Sequence, residues 1–66
     1  MDYKYTLVDS DGIPVMDKGC FYRSNNKERL LLNLMFYEYD AEIVEMTPDL
    51  FLTMRSMSNG EVSFFI

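Results

Sequence analysis

The feature that most constrains this chain is its lack of any means of cross-linking itself. Cys20 is its only cysteine, and it has no histidine. No disulfide can close within one copy, and zinc has no plausible ligand set. A folded chain of 66 residues hides only about 60% of the surface its unfolded form exposes. Domains this small usually lean on a disulfide, a metal or a partner subunit. With the first two removed, a dense core or a second chain must hold the fold together. A hydrophobic content of 48%, with five Phe and five Tyr, fits both and argues against disorder. One α+β domain spanning residues 1–66 is expected. Cys20 reads as a small apolar core residue rather than a reactive thiol.

The charge is unevenly spread. Residues 1–29 carry five acids (Asp2, Asp9, Asp11, Asp17, Glu28) and five bases (Lys4, Lys18, Arg23, Lys27, Arg29). Residues 30–66 carry six acids (Glu38, Asp40, Glu42, Glu45, Asp49, Glu61) and one base, Arg55. The whole formal charge of −5 lies in the second half. Nucleic acid and anionic membrane would both repel such a chain, so neither is expected as a direct partner. The N-terminal residues lack the apolar stretch of a secretory leader. The longest apolar run, Leu30 to Tyr37 broken by Asn33, falls well short of the ~20 residues a membrane span needs. A cytoplasmic location is expected, meaning the host cytoplasm if a phage encodes the chain.

Tyr3, Tyr5 and Leu7 alternate with Lys4, Thr6 and Val8, which reads as a strand. Asp9-Ser10-Asp11-Gly12 reads as a turn. A second strand is expected over roughly Val15 to Tyr22, with Pro14 holding it to an edge and Gly19 marking a bulge. Asn25 as N-cap would place Glu28 at the third position of a helix running to about Tyr37. Leu30, Leu31, Leu34 and Met35 form the stripe expected to face a sheet. Leu32 and Phe36 fall on another face, where a second copy is the expected cover. Ala41 to Met46 reads as a third strand.

Thr47-Pro48 forks the reading. It is a good helix entry, with Thr as N-cap and Pro at the first position. It is also followed by two alternating runs, Leu50/Leu52/Met54 and Val62/Phe64/Ile66, around Asn59-Gly60. The hairpin is the simpler choice. The expected architecture is therefore β-β-α-β-β-β, an antiparallel sheet of four to five strands with one helix packed on one face. Ile66, ending an alternating run, is expected to be tied into the sheet.

The residues do not assemble a catalytic set. Without histidine the commonest general base and the usual activator of Ser or Cys are missing. No catalytic residue, cofactor or metal is expected. Asp9-Ser10-Asp11-Gly12 superficially resembles the start of a calcium loop. The position that should supply a bidentate Glu is Cys20, and an ordinary turn accounts for the rest.

The most suggestive stretch is Phe36-Tyr37-Glu38-Tyr39-Asp40-Ala41-Glu42. Acids just beyond a helix C-terminus oppose the helix dipole. The tyrosines offer large contact area at low entropy cost. Tyr37, Glu38, Tyr39, Asp40, Glu42, Glu45 and Asp49 are the candidate partner-binding residues. Leu32 and Phe36 are the candidate self-association residues. The expected function is a non-catalytic inhibitor or regulator that engages a basic protein, such as a nucleic-acid-binding enzyme, by mimicking nucleic-acid charge. In size and charge the chain is similar to small phage inhibitors of host nucleases and polymerases, an analogy with no shared motif behind it. The alternative is an accessory protein that works as a homodimer through the apolar helix face.

Overall fold

Tyr5–Asp9 forms β1, and its partner is Ala41–Glu45, here β4, in an antiparallel ladder. In this computed structural model, residues 3–65 are described. The elements between and after them are β2 (Met16–Asp17), β3 (Cys20–Tyr22), α1 (Lys27–Met35), α2 (Pro48–Met57) and β5 (Phe64–Phe65). The fold is a small α+β arrangement with two helices. β2 pairs antiparallel with β3, and β5 joins the other edge of β3 in parallel.

β1 stitches these pieces together. One edge holds β4 in the register Tyr5–Glu45 through Asp9–Ala41. The other edge exchanges hydrogen bonds with Ser24 in both directions, 2.9 and 3.0 Å, and Leu7 O accepts from Val15 N at 3.0 Å. Thr6, Leu7 and Val8 are all buried, so both faces of the strand are covered. Thr6 meets the cost of burying a hydroxyl by donating to the Tyr22 carbonyl oxygen. Leu7 anchors a core with Val15 and Leu30, against which Tyr5, Tyr22, Leu34, Tyr37, Ala41 and Ile43 pack.

The stretch expected as one strand, Val15 to Tyr22, is a hairpin. Lys18 and Gly19 both take positive φ, 52° and 78°, as a tight turn between antiparallel strands requires. Gly19 is thus the second turn residue, not a bulge. The cap of α1 is Asn26 rather than Asn25: the Asn26 side chain accepts from Glu28 N at 2.9 Å. Asn25 instead accepts from Lys4 N through Oδ1 at 3.0 Å. The helix closes at Met35, with Phe36 as C-cap.

The main correction lies at residues 48–57, which form α2 and not a strand. Thr47 Oγ1 accepts from Leu50 N at 3.1 Å, and Pro48 occupies the first turn, where its missing N–H costs nothing. Helical spacing inserts Met54 fully into the interior and leaves Leu50 and Phe51 half-buried. Leu52, which alternation would have turned inward, is 59% exposed. Asn59 and Gly60, at φ 56° and 89°, end the helix instead of turning a hairpin, and Gly60 N donates to Arg55 O at 2.7 Å. The one-helix antiparallel architecture is therefore replaced by two helices and a parallel β3–β5 contact. The Arg23 guanidinium carbon lies 4.0 Å from the Tyr3 ring centroid and 4.7 Å from that of Phe64, a stack that holds β5 beside β3. Phe64 also meets Phe21 at 6.2 Å between centroids. The expectation for Ile66 lies outside the described residues.

Two outcomes follow from this packing. Replacing Thr47 with Ala should lower stability by about 1 kcal/mol in urea denaturation. Thr47 is exposed, so the loss would measure the cap and not the core. A strand there would lose little. The second concerns Tyr22, whose pKa is raised above its ordinary value near 10 by burial and by its bond to Asp17, 3.1 Å from phenol oxygen to Oδ2. A raised folded pKa means that the unfolded chain releases the proton first. The resulting stability is whole below pH ~10 and is lost as pH climbs through the folded value. The alkaline decline of the urea midpoint should accordingly be shallower in Tyr22→Phe than in the wild type.

Candidate binding surface

β4 controls where the acidic residues go. Its side chains alternate, so Ala41, Ile43 and Glu45 share one face while Glu42 and Val44 share the other. Ile43 packs on the α1 side of the ladder. Glu42 and Glu45, both exposed, therefore leave opposite faces about 10 Å apart along the strand. They do not form one row.

The register brings in a residue that the sequence pattern had assigned only to a turn. Asp9 pairs with Ala41, and Val8 pairs with Glu42. A shallow cleft of about 250 Å³ results, lined by Asp9, Ser10, Asp40, Ala41 and Glu42. Three acidic residues from two distant segments thus lie at this end of the ladder, although strand alternation sends Asp9 to the core face with Leu7 and Ala41, and Glu42 to the other face with Val8. Asp9 has a structural duty as well: its Oδ1 accepts from Asp11 N and Ile13 N, each at 2.9 Å, fixing the turn. Among the described residues no group of three His, Cys, Asp or Glu is arranged to hold a metal ion.

The two tyrosines of the loop after α1 have different roles. Tyr37 is half-buried and packs on the Leu7–Val15–Leu30 core. Tyr39 is 71% exposed and meets Tyr37 edge-on, 5.7 Å between centroids at 68°. Glu38 and Asp40, on either side of Tyr39, are exposed. Compared with known proteins, the chain matches no family model, no curated protein and no solved structure. No helix among the described residues is long and apolar enough to cross a membrane.

Glu45 and Asp49 stand apart from the acidic end. Glu45 is across the ladder from Tyr5 and shares a surface depression with Lys4. Asp49 sits in the first turn of α2, where a negative charge favours the helix dipole. That position accounts for it without a partner. Cys20, in β3, is half-buried.

The helix face also differs from expectation. Leu30 is buried and Leu34 half-buried, but Leu31 and Met35 are 48% and 77% exposed. Leu32 and Phe36 are 60% and 85% exposed. The core takes the i, i+4, i+7 line Leu30–Leu34–Tyr37. β1 and β4 offer α1 only a narrow seat, so the broader stripe stays in water.

The contrast between the tyrosines can be measured. Tyr37→Ala should cost about 2 kcal/mol of stability by removing a half-buried ring from the core. Tyr39→Ala should cost under about 1 kcal/mol, the worth of its edge contact. Equal losses would mean that Tyr39 is a core residue and not a surface one.

Proposed function

We propose that the chain is a small non-catalytic binding protein, an inhibitor or regulator, that engages a basic protein through the acidic end of the β1–β4 ladder. The observation that supports this reading is that Asp9, Asp40 and Glu42 all line one end of the ladder, next in sequence to the exposed Tyr39. Clustered like charges raise the local potential, steer an oppositely charged surface and set its register. Tyr39, exposed and adjacent to Asp40 in sequence, adds an aromatic anchor.

In its sharper form the reading is charge mimicry of nucleic acid. A protein that binds nucleic acid already carries cations placed for closely spaced phosphates. Carboxylates gathered at the cleft would occupy them. Glu45 and Asp49 contribute only to the long-range field, so the mimicking surface is smaller than the seven residues the sequence suggests.

The test is capture from a lysate of the source host, with wild type compared against the Asp40→Asn, Glu42→Gln double variant. Asp9 is left intact because it holds the turn. A captured nucleic-acid-binding protein that is released by high salt or by excess duplex DNA, and is not held by the double variant, is the expected result. Capture indifferent to both salt and neutralisation would remove the acidic end from the mechanism.

A further inference from the structure

The exposed face of α1 has a pattern that selects its own cover. At roughly 100° per residue, Leu31, Met35, Leu32 and Phe36 sweep about 140° of the helix circumference. All four are exposed. Lys27 and Arg29 lie just beyond the two margins of this stripe, in the first turn. Glu38 and Asp40 follow the last turn, which carries no basic residue. The helix is thus cationic at its margins where its dipole is positive, and its negative end runs into acids. Glu28 offsets one of the two first-turn cations, and the acids after the last turn oppose the dipole. No ion pair joins Lys27 or Arg29 to a carboxylate among the described residues; Lys27 lies 5.1 Å from the Tyr5 ring centroid.

A second α1, laid antiparallel, brings the remaining cations to the acidic end. We propose that two copies of this chain pair through α1 about a two-fold axis passing between Asn33 and Leu34. About that point the apolar stripe and the charged ends of the helix are balanced. On one margin Leu31 meets Met35 of the other copy, and on the other margin Leu32 meets Phe36, which closes the apolar stripe on itself. The first turn of one copy, with Lys27 and Arg29 on its two margins, comes beside the end of the other helix, where Glu38 and Asp40 follow, so cations reach acids on both margins. One axis brings the two apolar stripes together and sets each basic first turn beside the other copy's acidic end, as a self-complementary interface requires. α1 is nine residues long, about 13 Å. The flanking loop therefore has to take part, and it carries the charges that do.

This inference is independent of the partner reading, although Asp40 belongs to both surfaces. The experiment uses the purified chain alone. Sedimentation across a concentration series should show a monomer–dimer equilibrium for the wild type. Phe36→Glu should shift it to monomer. So should the double variant Glu38→Lys, Asp40→Lys, by at least tenfold in Kd. That double variant places cations after a helix C-terminus, where they favour the monomer's helix, so loss of dimer cannot be put down to unfolding. Circular dichroism melts check this directly. Adding Lys27→Glu and Arg29→Glu to the same chain swaps the charges throughout and should restore the dimer. A wild type that remains monomeric at the highest soluble concentration overturns the proposal. So does a dimer that the Phe36 and charge variants leave unchanged. A dimer broken by Phe36→Glu and by Glu38→Lys, Asp40→Lys but not rescued by the full swap overturns the antiparallel pairing.

Discussion

The rest of the structure depends on β1 being covered on both faces and paired on both edges. In a chain whose single cysteine can close no internal disulfide, one strand has to organise two small sheets at once. Leu7 faces the core beneath α1, while Thr6 and Val8 face the other way and are buried too. β4 takes one edge, and the segments at Val15 and Ser24 take the other. A strand covered in this way loses the clean inside–outside alternation of a half-exposed strand. The polar residue it retains, Thr6, is tolerated because the Tyr22 carbonyl lies within reach of its hydroxyl.

That central role explains why some of the fold was legible and some was not. β1, α1 and β4 lie in the stretches their local pattern indicated, because alternation or helical spacing marks each of them within its own few residues. Residues 47–60 were ambiguous for a physical reason. Asn-Gly supplies two consecutive positive φ values, which suit a tight hairpin and the exit from a helix equally well. Leu50, Leu52 and Met54 fit a strand, while Leu50, Phe51 and Met54 fit a helix. The Thr47 cap and the first-turn Pro48 decide in favour of the helix, because a strand would have given neither a use. The hairpin at Lys18-Gly19 was hidden because Lys is not an ordinary residue for positive φ.

The candidate surface shows the same limit. The charge run from Glu38 to Asp49 was visible, but its grouping was not. Strand alternation separates Glu42 from Glu45, and the start of α2 claims Asp49. Asp9 enters the cleft only through its register with Ala41, a contact between residues far apart in sequence. As a single letter it signalled a turn, and it does form one. Nothing local marks the second role.

The two proposed surfaces answer to forces of different range. Each copy carries −5, so two copies repel at long distance while their helix ends attract at contact. Beyond a Debye length, about 10 Å at 0.1 M salt, the repulsion is screened. Contact pairs between apposed helices, with apolar side chains closing off water between them, are screened less. Attraction of a basic partner to the acidic end acts over the same long range as the repulsion, and salt weakens it in the same measure. Raising ionic strength therefore moves the balance from hetero-association towards self-association. Asp40, shared by the two surfaces, makes the two outcomes compete for one carboxylate.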